Sequence, residues 1–491
     1  MRDLLIGLDG GTGGMRAFVF DKQGNVLASA DAPYETIYPQ SGWAEQRPQD
    51  WWQAVCTSLR EAMEKADVTA DRVAALCAAT TSCTVMTCGR DGSTNDNALL
   101  WMDVRAAAQA EEIFKATGES PSAEHFPSKA LWLKQNQPQR WAEAQVLCEY
   151  QDWINYRLTG RWCFSVNTAC NWGYNKRKGG FYTDFYHKCG LGDALEKMPK
   201  DAVCAGDKVG HLTAEAAAQL GLDTEVLVAQ GGIDASIGML GMGVSKPGAA
   251  AMMTGSSNLV MAATTEPTFC GVDSFNAGPD FLLEGCYTSV QGQVSTGSIL
   301  RWFRREFARD LDEKECFKLL DKVAEEVEIG CGGLTLLDYW QGNRAPHNDA
   351  EVRGVIYGLS MSTTREAIFR AVLEGIACGT EDLLEQFRKK GTPITELYVS
   401  GGTTRSPLFM QIHADLSGIP MHITSDYSVA LGCGICAAHA AGFYPTIPQA
   451  VESMVRPAGT VLPDPQRHQA YKPVLERYRS FYAALRPWVH Q

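Results

Sequence analysis

The sequence predicts an α/β protein made of two similar domains that face each other across a deep shared cleft. Three observations carry that expectation. The chain opens with a strand, a Gly-rich turn and a second strand. A related unit returns about half a chain later. Helix-like and strand-like stretches alternate throughout. At 491 residues the chain also exceeds what one ordinary core accommodates.

Residues 4–9 form a short apolar run ending at Asp9, as a buried strand does. Residues 10–14 are four glycines and Thr12, a tight turn, after which residues 15–21 alternate again and Lys22-Gln23-Gly24-Asn25 turns into a third strand. This is a β-meander, distinct from the strand–turn–helix of a dinucleotide or Walker loop. Residues 48–66 read as an amphipathic helix with Trp52, Val55, Leu59 and Met63 on one face, and residues 73–79 as a buried strand. A strand at 226–229 leads through Gln230-Gly231-Gly232-Ile233 to Asp234 and a small-residue helix at 235–243. The second hairpin runs from 248–253 through Thr254-Gly255-Ser256-Ser257 into 258–262. A long helix follows at 365–388, then a strand at 397–400 entering Gly401-Gly402, and a small-residue helix at 431–442 suited to close packing on a sheet. The turn-rich junction at 245–248 divides the chain into domains 1–246 and 247–491, the latter ending in a helical tail over 460–491.

Composition narrows the function. Hydrophobic residues at 45% and charged residues at 21% describe an ordinary globular chain. No apolar run reaches the roughly 18 residues of a membrane span, and the start of the chain lacks the pattern of a secretory signal. The net charge of −13 argues against a basic nucleic-acid-binding surface, while leaving room for a local basic cleft around a phosphorylated ligand. Sixteen scattered cysteines read as thiols of a reducing compartment, so a cytoplasmic protein is expected. The nine histidines show no metal-ligand spacing.

The chemistry-bearing positions follow from residue type. Glycines after Asp9 let backbone N–H groups approach phosphate oxygens, Thr12 and Arg16 add side-chain donors, and a carboxylate at a strand end suits Mg²⁺ held through water. The plain alternative is a Gly-rich hairpin without a ligand. The hairpin at 254–257 offers a second phosphate cradle or a plain turn. Asp234 suits a general base that orients an attacking hydroxyl and takes its proton, or a helix N-cap, and the two roles are compatible. The Gly401-Gly402 turn lets a flat ring lie on the backbone, as an adenine or ribose site requires, or is simply a strand–helix connection. Cys433-x-x-Cys436, beside Gly432 and Gly434, reads as close packing before it reads as a redox pair.

Taken in order, the Asp9 hairpin, Trp101-Met102-Asp103-Val104-Arg105, Asp234, the 254–257 hairpin and Gly401-Gly402 resemble the FGGY carbohydrate kinases of the actin-like ATPase superfamily. Residues 354–375 look like that family's C-terminal signature, with Ala367 where members carry a polar residue. Thr81-Ser82-Cys83-Thr84, Leu131-Trp132-Leu133-Lys134, Asp152-Trp153-Ile154 with Leu158-Thr159-Gly160, Gly342-Asn343-Arg344-Ala345-Pro346, and Ser425-Asp426 before Ala430-Leu431-Gly432 are similar to the ribulokinase branch. The departures are Gly14 for a hydroxyl residue, Tyr427 for Glu or Gln, Gly402-Thr403 within a usual triple glycine, and Asn171 for a sugar-contacting Lys.

The resemblance implies two duplicated actin-like (ribonuclease H-like) ATPase domains around a deep central cleft, with ATP and Mg²⁺ as cofactors. Asp234 is then the general base, and Asp9 with Asp234 serves the metal. Gly11, Thr12, Gly13, Arg16, Thr254, Gly255 and Ser256 cradle the phosphates; Gly297, Gly401, Gly402 and Ser406 lie on the nucleotide side. Ser82, Asp103 and Arg105, together with Asp234, line or support the sugar site. The implied reaction is phosphorylation of a ketopentose, ribulose-like, and the resemblance allows a homodimer. The alternatives are xylulose, a tetrulose, or a sugar alcohol such as ribitol or erythritol as substrate, a member that has lost activity, and an actin-like nucleotide-gated binding protein.

Overall fold

The computed structural model describes residues 2–270 and 277–490, so Gln491 at the end of the expected tail lies outside the described residues. The chain divides into two units. The first comprises Met1–Ser245, Phe269–Thr288 and Tyr427–Val455; the second comprises Lys246–Thr268, Ser289–Asp426 and Arg456–Gln491.

The first unit is built on a six-stranded sheet. Its strands are β1 (Leu4–Gly11), β2 (Gly14–Asp21), β3 (Val26–Pro33), β4 (Val73–Thr80), β5 (Lys208–His211) and β6 (Leu227–Ala229). The order across the sheet is β3-β2-β1-β4-β6-β5. The meander β1–β2–β3 is antiparallel, β1, β4 and β6 run parallel, and β5 returns antiparallel. Both faces of β1 and β4 are buried, which explains their unbroken apolar sequence. The helix Pro48–Ala66 covers one face, burying Trp52, Val55, Leu59 and Met63 as its periodicity predicts.

The helix Ser428–Ala440 lies in sequence between two stretches of the second unit yet packs in the first unit. Small residues allow it. A Cβ on Gly7 would stand 2.1 Å from the Ala430 carbonyl oxygen, one on Gly241 1.8 Å from that of Ser428, and one on Gly432 2.0 Å from that of Ile237. Only glycine lets these backbones touch. Cys433 and Cys436 are buried in the same contact, with the Cys433 thiol donating to the Leu8 carbonyl at 3.3 Å, so this pair is a packing feature. The Cys433 and Cys436 thiols are free.

The second unit repeats the plan. Strands β7 (Ala249–Thr254), β8 (Asn258–Thr264), β9 (Tyr287–Gln293), β10 (Glu396–Ser400), β11 (Met421–Ile423) and β12 (Gly459–Val461) lie in the order β9-β8-β7-β10-β11-β12. Here too the leading strand pairs antiparallel with its hairpin partner, two parallel strands follow, and an antiparallel edge closes the sheet. The duplication that the two hairpins hint at is thus written in the topology. The long helix Arg365–Lys389 runs through the core, its first turn capped by the Thr364 hydroxyl accepting from the Ala367 N–H. The tail is the helix Pro465–Val489, which presses Tyr471, Val474, Tyr478 and Tyr482 onto that core at helical spacing. Among the described residues, no helix is long and apolar enough to cross a membrane.

Candidate active site

In the first unit, the β1–β2 register places Arg16 directly opposite Asp9, so both side chains stand on one face and form an ion pair. Asp9 is buried and Arg16 is about half exposed at 49%. Burial raises the Asp9 carboxyl pKa, and the Arg16 guanidinium holds it down. At the turn, Gly13 is exposed with open space around it, while the Thr12 hydroxyl accepts from the Trp101 indole N–H at 3.0 Å. The Tyr34 hydroxyl donates to the Gly11 carbonyl at 2.5 Å. Gly14 has a structural reason to differ from a hydroxyl residue: a Cβ there would meet the Ala32 carbonyl oxygen at 2.7 Å.

Asp234 enters from β6. A Cβ on Gly231 would fall 1.9 Å from the Ala78 carbonyl oxygen, and one on Gly232 2.4 Å from Asn167 Oδ1, so Gly231 lets this loop press against β4 and Gly232 lets it press against Asn167. The Ile233 N–H donates to Asn167 Oδ1 at 2.8 Å. Ile233 takes the cap position of the helix Asp234–Met242, which makes Asp234 its first residue instead of its N-cap. Its Oδ1 accepts the Ala235 N–H at 2.6 Å. Burial pushes the Asp234 carboxyl up to about 6; the Ala235 N–H opposes the rise and the negative charge of Asp9 adds to it. Asp9, Arg16 and Asp234 therefore form one electrostatic group.

Ser82 is half-buried and accepts from the Asn171 amide at 2.9 Å. The loop carrying it is clamped from below. Cys83 adopts φ of +53°, its N–H donates to Glu149 at 2.9 Å, and its carbonyl accepts from Lys129 Nζ at 2.8 Å. Lys129 also donates to the Leu100 carbonyl, one residue before Trp101, and the Trp172 indole donates to Glu149 at 2.6 Å. Both charged residues are fully buried; burial draws Lys129 down to about 8 and pushes Glu149 up to about 7. Substituting Lys129→Met strands Glu149 and two carbonyls. Thermal unfolding should show a loss of about 3–5 kcal/mol, partly recovered in the double variant Lys129→Met/Glu149→Gln.

Asp103 and Arg105 lie elsewhere in the first unit. Asp103 accepts from the Ala44 N–H at 2.7 Å and from Arg105, whose guanidinium also pairs with Glu45 at 2.8 Å and stacks 3.6 Å from the Trp43 ring centroid. Their side chains are 0% and 1% exposed, so they brace the wall around Trp101 from inside.

In the second unit, the 254–257 hairpin meets the start of the helix Gly297–Phe307. The Gly297 N–H donates to the Gly255 carbonyl at 3.0 Å, and Arg301 donates to the Ser256 hydroxyl at 2.9 Å. Gly401 has φ of +122° and ψ of 177°, and a Cβ there would lie 2.0 Å from the Thr254 carbonyl oxygen. Thr403, in place of a third glycine, ties the two loops through a 2.7 Å hydroxyl contact with Thr254. Ser406 caps the helix Pro407–Ser417 by accepting the Phe409 N–H at 3.0 Å. Gly255, Ser256, Gly297, Gly402 and Ser406 line one cavity of about 960 Å³, with Thr254 and Gly401 part of the supporting hairpin and turn. That volume is at the upper end for small-molecule sites.

Sequence reasoning missed the cations of this cavity: Arg301, Lys314, Lys318, Lys322, Arg405 and Arg467. A chain of net charge −13 concentrates them around one opening. It also missed Tyr34, Lys129 and Glu149, whose only signal in sequence is their residue type. Tyr427 has its own explanation, since its ring packs 5.5 Å from Phe18 and 6.2 Å from Phe20.

Comparison with known proteins agrees with the fold. The N-terminal domain model of the FGGY family of carbohydrate kinases matches residues 4–241, and the C-terminal domain model matches residues 250–441. A xylulose kinase of Staphylococcus epidermidis is 26% identical over 495 residues, covering 99% of this chain and 97% of the relative. A ribulokinase of Shouchella clausii is 29% identical, covering 98% and 95%. The solved structure of a xylulose kinase from Rhodospirillum rubrum matches with a TM-score of 0.85 at 25% identity, covering 99% of this chain and 100% of that one. With both domain models matched in order on a duplicated α/β fold, this chain belongs to the FGGY family of carbohydrate kinases.

Proposed function

We propose that the protein transfers the terminal phosphoryl group of ATP to a hydroxyl of a ketopentose, as a ribulose-like pentulose kinase with Asp234 as general base. The observation that carries this reading is Asp234 itself. It is a carboxylate set by two glycines at a helix start, beside Asp9, with its pKa raised to about 6. A sugar hydroxyl becomes an effective nucleophile as its proton finds an acceptor. In this scheme the Asp234 carboxylate takes that proton while the hydroxyl oxygen bonds to the terminal phosphorus and ADP departs. Ser82 and Asn171 orient the sugar. The glycine-lined cavity of the second unit holds the nucleotide, and Thr12, Gly13 and Arg16 serve the transferred phosphate. Water must be excluded, because it competes with the sugar as acceptor.

Asp9 and Asp234 suit a Mg²⁺ ion. They are two carboxylates of like charge, the pKa of Asp234 raised first by burial and further by the charge of Asp9, and Mg²⁺ is ordinarily held by one or two carboxylates with water and phosphate completing its shell. When bound, the ion neutralises phosphate charge.

Relatives named xylulose kinase and ribulokinase are similarly distant from this chain. The second reading, xylulose, is favoured by the neutral Asn171 against Ser82, where the ribulokinase pattern carries a lysine. A tetrulose or a sugar alcohol is the remaining alternative. ADP release from MgATP with ribulose and xylulose of both hands, erythrulose, ribitol and erythritol tests the proposal. One ketopentose should exceed the tetrulose and the polyols in kcat/KM by tenfold or more. A polyol or tetrulose as the best substrate would sink it.

A further inference from the structure

Asp321 has no part in the scheme above, yet it faces the same cavity. It lies on the helix Cys316–Glu325, whose Phe317, Asp321 and Glu325 recur at helical spacing along the cavity wall. Its side chain is only 9% exposed. The Ser406 hydroxyl lies beside it and opposes the rise of its pKa, while Oδ1 is buried without a hydrogen-bond partner among the described residues. Burial pushes the carboxyl up to about 6, so at neutral pH the group is chiefly an acceptor. A buried carboxylate oxygen left unpaired is costly, and one on a cavity wall is completed by a donor within that cavity.

The donor that completes it is constrained by its surroundings. Phe317, Leu408, Phe369 and Leu373 supply apolar wall, as a flat heterocycle requires, whereas the backbone of Gly255 and Gly297 with Arg301 suits phosphate oxygens. An acceptor-only oxygen in the apolar part selects an N–H on the base. We propose that Asp321 reads the exocyclic amine of adenine, making it a specificity-determining residue for the phosphoryl donor. The inference rests on the cavity being the nucleotide site. A site built to accept from an amine discriminates against an analogue without one, because its own oxygen is then left unpaired.

Calorimetric binding of ADP, purine riboside 5′-diphosphate (the same ring without the amine) and 2′-deoxy-ADP tests it in wild type, Asp321→Leu and Asp321→Asn. Wild type should bind ADP at least tenfold more tightly than the riboside diphosphate. Asp321→Leu should abolish that ratio, and Asp321→Asn, which keeps an acceptor oxygen, should retain most of it. Equal affinity of wild type for ADP and the riboside diphosphate overturns the proposal without needing any variant. So does a ratio unchanged in Asp321→Leu, or a comparable discrimination against 2′-deoxy-ADP that Asp321→Leu abolishes, which assigns Asp321 to the ribose. No ADP binding by wild type would instead overturn the nucleotide-site reading on which the inference stands.

Discussion

Replacing Asp234 by Asn should lower kcat by about 10²–10⁴-fold while leaving the KM for sugar and ATP within a few-fold of wild type. Asn keeps the shape and can still accept the Ala235 N–H, but it cannot take a proton from the attacking hydroxyl. Loss of chemistry is separable from loss of fold by the direction of the stability change. Because the Asp234 pKa in the folded protein, about 6, lies above its unfolded value, the folded state binds more protons across the window between the two. Stability therefore falls as pH rises through that window, and above it the cost of the buried charge is fully present. Asn removes the charge. The unliganded variant should melt at or above the wild-type temperature at pH 8, as measured by circular dichroism, even though it is nearly inactive.

The second large effect is expected from a single methyl group at two adjacent positions. Gly401 occupies a backbone region that only glycine adopts readily, and its Cβ would overlap the Thr254 carbonyl oxygen at 2.0 Å. Gly401→Ala should cost roughly 3 kcal/mol or more, from strain plus displacement of the 254–257 hairpin, and weaken ADP binding at least tenfold. A Cβ on Gly402 meets nothing within 4 Å. Gly402→Ala should therefore unfold with wild type and alter only nucleotide affinity. Denaturant unfolding with ADP titration of the two variants measures both quantities. Equal stability of the pair would mean that the Gly401 contact does not constrain the hairpin.

The first hairpin was readable because an apolar strand and an alternating one flank a glycine turn, whereas the register that puts Arg16 opposite Asp9 as an ion pair is set by the pairing seen only in the structure. The helix Pro48–Ala66 was readable for the same kind of reason, a proline at its start and an apolar stripe. The return of helix Ser428–Ala440 to the first unit was not. Its close contacts depend on partners at Gly7, Ile237 and Gly241 far away in sequence, and no local pattern announces such a contact. Asp103 and Arg105 stood out as motif residues, but their enclosure by Trp43 and Glu45 depends on tertiary packing. Asp321, Lys129 and Glu149 are invisible in sequence for a further reason. A charged residue is ordinarily solvated, and only three-dimensional burial turns it into a clamp or an orphaned acceptor.

The most direct test of the whole account is ³¹P NMR of the wild-type enzyme incubated with MgATP and its best ketopentose. A phosphomonoester resonance should grow in one-to-one proportion with ADP, with inorganic phosphate negligible, and Asp234→Asn should form it at least a hundredfold more slowly. ADP appearing with inorganic phosphate in place of a sugar phosphate, or a phosphomonoester formed at an undiminished rate by Asp234→Asn, would contradict it.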